Sequence, residues 1–115
     1  MRIKVDRLDK LFSELIRRRA FPNCEYCGKK VNRWEDLQCS HFIGRRKRST
    51  RYDSDNASGV CFSCHMYLGE HPYEHTEFFK KRLGSEKLDC LIIKGNQIVK
   101  IDREKIEAEL KEKLK

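Results

Sequence analysis

The sequence predicts one small α+β domain that is held together by a structural metal ion. The chain has 115 residues, of which 38% are hydrophobic and another 38% are charged, and four of its six cysteines form two C-x-x-C pairs. A chain so lean in apolar residues builds a modest core and gains from a metal that ties distant segments together. We expect a single domain over residues 1–115, with a helical N-terminal segment (1–21), a zinc core (22–70) and a helical C-terminal region (71–115).

The positive charge of the chain is concentrated in its first half. The net charge is +8, and residues 1–51 hold 15 basic and 6 acidic side chains, against 11 and 12 in residues 52–115. Such asymmetry favours a polyanionic partner, most often nucleic acid, although general solubility is the simpler alternative. No run of 18 apolar residues and no secretory signal pattern occurs. We therefore expect a soluble cytoplasmic protein with no membrane partner.

Residues 5–20 have the apolar period of an amphipathic helix. Its apolar face contains Val5, Leu8, Phe12, Leu15 and Ile16. Asp6 and Asp9 suit the positive end of the helix dipole, and Pro22 ends the helix. The three arginines at 17–19 suit either the negative end of the dipole or a contact with a DNA backbone, and the sequence leaves both interpretations open.

The two cysteine pairs, Cys24 with Cys27 and Cys61 with Cys64, predict a structural zinc site. One such pair could be a redox motif, but two pairs in a cytosolic chain supply the four thiolates of a tetrahedral zinc ion. Gly28 suits the positive φ that follows a second ligand. We expect the two remaining cysteines, Cys39 and Cys90, to be small buried residues.

The segment between the pairs reads as a hairpin with a basic loop. We predict a strand over 37–43, a loop up to Arg51 and a returning arm over 52–59. The loop G-R-R-K-R-S-T-R has five cations and no acid, so it should stay solvated unless an anion is present.

The second half reads as helices interrupted by one small hairpin. The predicted helices span 61–68, 72–83 and 85–90, a hairpin spans 92–101, and a last helix starts at Asp102. In the helix 72–83, Tyr73, Phe79 and Leu83 should point inward. The last helix has balanced charges and a narrow stripe of Ile106, Leu110 and Leu114, so it should dock on another surface or form a homodimer.

Two polar residues, His41 and Asn56, lie inside the segment that the zinc would clamp, and His65 follows directly after the second cysteine pair. A neutral imidazole can act as the general base that deprotonates water, and a divalent metal can stabilise the leaving oxyanion of a phosphodiester. His65 could hold such a metal, and Asn56 could hydrogen-bond the backbone of the hairpin that presents His41.

This order of residues resembles the HNH nuclease motif of the ββα-metal (His-Me finger) fold. The nearer likeness is to the phage NinG (Rap) family of recombination nucleases. It is carried by P-N-C-E-Y-C-G, S-H-F, R-Y-D-S-D-N, V-C-F-S-C-H and Y-E-H-T-E-F-F-K-K-R-L-G-S-E. The resemblance implies an α+β domain with a ββα-metal core, a structural zinc site of four cysteines and flanking helices. It also implies a DNA endonuclease that acts on branched or recombining DNA in the cytoplasm of a bacterial host.

Carried over residue by residue, the resemblance makes His41 the general base, Asn56 the asparagine that fixes the hairpin, and His65 a ligand of the catalytic metal. Structural Zn²⁺ and catalytic Mg²⁺ or Mn²⁺ are the implied cofactors. The phosphate backbone would lie along Arg45, Arg46, Lys47, Arg48 and Arg51. Two positions depart from the pattern: Ser40 stands where many HNH nucleases have a metal-binding Asp or His, and His65 stands where the NinG family has Asn. The residues that could complete the metal site are Asp53, Asp55, Glu70, His71 and His75.

Two other functions fit the same sequence. A non-catalytic zinc module that binds nucleic acid through the basic loop is favoured by Ser40. An assembly factor that acts through the last helix would leave the histidines with structural roles only.

Overall fold

The computed structural model describes residues 3–115, so the first two residues of the predicted N-terminal segment lie outside the described part. It is an α+β domain with one antiparallel sheet of two strands, which confirms the predicted fold class. The helices are α1 (Arg7–Ala20), α2 (Arg48–Arg51), α3 (Phe62–Glu70), α4 (Pro72–Leu83), α5 (Ser85–Gly95) and α6 (Arg103–Leu114). The strands are β1 (Leu37–His41) and β2 (Ala57–Cys61), and two short 3₁₀ turns lie at Trp34–Asp36 and Ser54–Asn56.

Helix α1 begins with a reciprocal capping box and packs on the sheet. The Asp6 carboxylate accepts from the Asp9 backbone N–H, and the Asp9 carboxylate accepts from that of Asp6. The predicted apolar face is buried at its centre, but Val5 precedes the helix and is 54% exposed, so its assignment to that face was wrong. Gly59 allows the close packing, because a Cβ there would lie 2.6 Å from the Ala20 Cβ.

Strand β1 pairs with β2 from Leu37 opposite Cys61 to His41 opposite Ala57. The prediction made the first arm of the hairpin too long and started the second arm too early. β1 ends at His41 rather than at residue 43, because the next backbone groups bond to Asn56 instead of to a strand. The returning arm starts at Ala57 rather than at residue 52, because the Asp53 carboxylate accepts from the Asp55 N–H and starts a 3₁₀ turn.

The region after the sheet agrees with the prediction from the sequence, with three exceptions. Gly84 ends α4 with a φ of +87°, as predicted, but Tyr73 is 72% exposed rather than inward. The predicted hairpin at 92–101 is wrong: α5 continues to Gly95, because Leu88, Leu91 and Gly95 bury one helical face. Gly95 packs against Ile43 at a distance that a side chain would not allow. The same helix leaves Cys90 exposed, although the sequence predicted burial.

Helix α6 packs on α1 of its own chain. Asp102 caps it by accepting from the Lys105 N–H, and Ile106 and Leu110 join a core cluster with Phe12 and Ile16. Two of the three residues of the apolar stripe that could have formed a homodimer are therefore covered within the chain. Within residues 3–115, no helix has the length and apolar character that crossing a membrane requires.

Candidate functional site

The four predicted zinc ligands meet at the junction of three segments. Cys24 and Cys27 lie in a tight turn in which the Gly28 N–H donates to the Cys24 carbonyl, while Cys61 ends β2 and Cys64 lies in the first turn of α3. Gly28 has a φ of +80°, as expected for the residue after the second ligand. All four sulfur atoms lie within 4.8 Å of one another, and the Cys27 and Cys61 sulfurs are 3.9 Å apart.

These distances fit a zinc ion. Zn–S bonds of about 2.3 Å in a tetrahedron place neighbouring sulfurs about 3.8 Å apart. Burial raises the pKa of Cys61, but hydrogen bonds from Ser63 and the Cys64 backbone outweigh burial and lower this pKa to about 6. A pKa in this range favours the thiolate form of the sulfur at neutral pH. Burial and the neighbouring sulfurs raise the pKa of Cys64. The cluster could therefore bind zinc with release of the remaining thiol protons.

His41 is the last residue of β1, and its side chain is held in one tautomer by a backbone carbonyl. Its Nε2 atom lies 3.1 Å from the Arg51 carbonyl oxygen. Because a carbonyl only accepts, Nε2 carries the proton and Nδ1 keeps a free lone pair. Burial, opposed by the hydrogen bond to Arg51, lowers the pKa of His41 below its ordinary 6.5. His41 is thus a neutral base at pH 7.

Asn56 lies behind this histidine and is fully buried. Its amide oxygen accepts from the Ile43 N–H at 2.7 Å, and its amide nitrogen donates to the Ile43 carbonyl at 2.8 Å and to the Thr50 carbonyl at 3.1 Å. The Phe42 N–H donates to the Asn56 carbonyl. Asn56 therefore ties together both ends of the segment that follows His41.

A buried ion pair fixes the residue whose carbonyl holds His41. Arg51 donates to both carboxylate oxygens of Asp9, at 3.0 and 2.6 Å, and Arg45 approaches the same carboxylate at 3.2 Å. Burial raises the pKa of Asp9. The interactions that lower it, of which the hydrogen bond from Arg51 is the largest, outweigh burial and bring the pKa to about 2. Asp9 thus links α1 to His41 through Arg51. The sequence does not reveal this role, because helix capping is a sufficient explanation for an acid at position 9.

His41 and His65 line the same open groove, which has a volume of about 530 Å³. Helix α1 forms one wall with Lys10, Ser13 and Arg17, and Cys39 lies beside His41 on the floor. Burial raises the pKa of Cys39 to about 12, so this thiol is neutral at pH 7. The structure therefore places His41 and His65 in one groove, while Asn56 holds the backbone of the segment that follows His41.

His65 has a second histidine near it. The charge of His65 adds to burial in lowering the pKa of His75, and the His75 Nε2 atom lies 3.3 Å from the Ser40 hydroxyl. Two of the other candidates for completing a metal site are engaged elsewhere: Asp53 pairs with Lys94 at 2.6 Å, and His71 stacks on Tyr67. Within residues 3–115, the four cysteines are the only group of three or more Cys, His, Asp or Glu ligands placed to share one ion.

The basic segment is only partly available to a ligand. Arg45 and Arg51 turn inward to Asp9, so the anion that this segment needed is supplied by α1 of the same chain. Arg46, Lys47 and Arg48 are exposed, and Lys47 makes a hydrogen bond to Asn96 at 3.3 Å. The loop was expected to stay solvated unless an anion is present, and for its first and last arginines that anion is Asp9.

Comparison with known proteins yields one match. Residues 24–70 match the family model described as HNH endonuclease. The matched segment contains all four cysteines together with His41, Asn56 and His65, whereas α1 and the helices from α4 onward lie outside it. No curated protein and no solved structure matches the chain. The core of this chain that contains the four cysteines is therefore similar to an HNH endonuclease domain, which supports nuclease activity in general.

Proposed function

We propose that this protein is a metal-dependent DNA endonuclease in which His41 is the general base. The observation that carries the proposal is the state of His41: a neutral imidazole whose Nε2 is bonded to a carbonyl and whose Nδ1 is free, in a groove shared with His65. The match of this segment to HNH endonucleases is independent support. The resemblance to the NinG family suggests branched or recombining DNA, in phage recombination, as the substrate.

In the proposed reaction, Nδ1 of His41 takes one proton from a water molecule, whose oxygen forms a bond to phosphorus. The bond from phosphorus to the leaving sugar oxygen breaks, and that oxygen takes a proton from solvent. The Arg51 carbonyl stabilises the imidazolium that forms, because it accepts from the opposite ring nitrogen. Asn56 keeps the backbone around His41 in place while the charge changes.

A catalytic divalent metal would be held by His65, and His75 with the Ser40 hydroxyl could serve as further donors. When bound, it supplies positive charge at the phosphate and at the leaving oxygen. His75 would replace the acidic ligand that Ser40 cannot provide, and substrate oxygens and water would complete the coordination. Because imidazole nitrogens suit transition metals better than Mg²⁺, this donor set favours Mn²⁺ or a related ion among the two predicted metals.

A plasmid-nicking assay with and without Mn²⁺ tests the proposal. We expect the wild type to nick DNA and His41→Ala to lose about 10²–10⁴ in rate, the usual contribution of a general base. His71→Ala is the matched control, because His71 stacks on Tyr67 outside the groove. If His41→Ala nicked as fast as His71→Ala, the hydrolytic role would be wrong, and the chain would be better described as a nucleic-acid-binding zinc module.

A further inference from the structure

We propose that α1 forms a phosphate-binding wall of this site, with Arg17 as its main contact and Lys10 as its second. The inference rests on the proposed function and deepens it, because it assigns substrate binding to a helix outside the segment that matches HNH endonucleases. Its ligand is the phosphodiester group itself, next to the bond that His41 would attack.

The helix presents one polar edge to the groove. Lys10, Ser13 and Arg17 are spaced three and four residues apart, so they lie on one side of α1, and all three line the groove with His41 and His65. On another side, Phe12 and Ile16 are buried against the sheet and α6. This packing fixes which edge of α1 faces the two histidines.

The charges around the groove leave Arg17 and Lys10 for a ligand. The remaining charged groups there, Asp9 and Arg45, are bound to each other at 3.2 Å. Within residues 3–115, neither Arg17 nor Lys10 has an acidic partner within ion-pair distance. The histidines of the groove carry no negative charge in either protonation state, so they cannot offset these two cations. The groove therefore carries a net positive charge that a phosphate would neutralise.

Arg17 is also held in place before any ligand binds. Its Nε atom donates to the Ser13 carbonyl at 3.3 Å, and its guanidinium carbon lies 4.7 Å from the centre of the Trp34 ring. These contacts use the Nε–H group and the face of the guanidinium, which leaves its terminal N–H groups for two phosphate oxygens. A donor fixed in advance loses little entropy on binding and stabilises the charge of the transition state efficiently.

Arg18 provides a matched control on the same helix. It lies 4.6 Å from the centre of the same Trp34 ring, so it shares the cation–π contact of Arg17. It differs in that it pairs with Glu14 at 2.8 Å and does not line the groove. The variants Arg17→Gln and Arg18→Gln therefore remove equal charge and similar packing, but only the first alters the groove.

Two measurements test the wall. The first is Mn²⁺-dependent hydrolysis of bis(4-nitrophenyl) phosphate, a diester small enough to occupy the groove without reaching distant surface charges. We expect Arg17→Gln to lower kcat/KM by about 10- to 100-fold, mainly through kcat, and Arg18→Gln to change it by less than about 2-fold. The second is calorimetric binding of thymidine 3′,5′-bisphosphate, which should weaken about 10-fold in Arg17→Gln, less in Lys10→Gln and little in Arg18→Gln. Zinc content and thermal unfolding check that all variants fold alike.

The two measurements separate this inference from the nuclease proposal. If the wild type hydrolyses the diester and the Arg17 and Arg18 variants do so equally, the phosphate wall is wrong while the nuclease function stands. If the wild type hydrolyses neither this diester nor plasmid DNA, the nuclease function is wrong, and the binding assay alone decides about the wall. Equal affinity of both variants for the bisphosphate would then overturn it, whereas a selective loss in Arg17→Gln would support it.

Discussion

Replacing Asp9 with Asn should destabilise the domain by about 2–3 kcal/mol at neutral pH. The carboxylate is 7% exposed and accepts two hydrogen bonds from Arg51, whose side chain is 13% exposed. Its pKa falls from 3.8 to about 2, which corresponds to about 2 kcal/mol of differential stabilisation of the charged form. The amide keeps the shape but leaves two arginines without their counter-charge, which adds to the cost.

The pH dependence of this loss has a definite sign. Because the folded pKa is depressed, the stabilisation is fully present above the unfolded value of 3.8 and disappears as the pH falls towards about 2. The difference in unfolding free energy between wild type and Asp9→Asn should therefore be constant from pH 8 to pH 5. Urea unfolding across this range, with zinc present throughout, measures it.

Asp36→Asn is the control for the loss of one carboxylate. Asp36 pairs with Arg33 at the surface, with side chains 41% and 67% exposed, so its replacement should cost less than about 1 kcal/mol. A loss in Asp9→Asn that did not exceed the loss in Asp36→Asn would refute the argument from the buried pair. So would a difference between wild type and Asp9→Asn that shrank steadily between pH 8 and pH 5.

Four further predictions concern the metal sites and the DNA surface. The folded protein should contain about one Zn²⁺ per chain by elemental analysis, and Cys24→Ser or Cys61→Ser should abolish cooperative unfolding; a folded preparation without zinc would contradict this. Cleavage rate should stay on its plateau when the pH falls through 6.5 and decline only below it, because burial lowers the pKa of the base His41; a decline centred above 6.5 would count against this assignment. The activity that is lost in His65→Ala should return in part at high Mn²⁺, whereas the activity of His41→Ala should rise with pH instead. If a metal and pH titration showed the reverse pattern, the roles of the two histidines would be exchanged. Replacing Arg46, Lys47 and Arg48 with Ala should weaken binding to unrelated DNA sequences by a similar factor, and the salt dependence of binding should fall by up to about three phosphate contacts. An unchanged salt slope in fluorescence anisotropy would exclude these residues as a DNA-binding surface.

The features that the sequence predicted well depend on short-range rules. The cysteine pairs, the cap at Asp102, and Pro72 and Gly84 at the two ends of α4 each act within a few residues, so one segment is enough to recognise them. The order of His41, Asn56 and His65 was visible for the same reason, but the sequence could not place them in a common groove.

The features that it missed depend on tertiary contacts. Asp9 and Arg51 are 42 positions apart, and nothing local distinguishes Asp9 from an ordinary helix-starting acid. The β-branched run near Ile92 favoured a hairpin by local propensity, yet α5 continued because Gly95 packs closely against Ile43 and Thr50. His75 approaches Ser40 only because α4 folds back onto the sheet, 35 residues away in sequence.

Gly59, a residue of β2, contacts both the turn that contains Cys24 and Cys27 and helix α1. Its N–H donates to the Glu25 carboxylate at 2.7 Å and its carbonyl accepts from the Glu25 N–H at 2.9 Å, between the two cysteines of the first pair. On its other side, Gly59 has no side chain, and this leaves the space that Ala20 of α1 occupies. Even an alanine at position 59 would press α1 outward, and with it the wall that faces His41. Removal of a metal from the four cysteines would loosen the turn that carries Glu25, so we expect it to disturb the position of α1 through Gly59 as well.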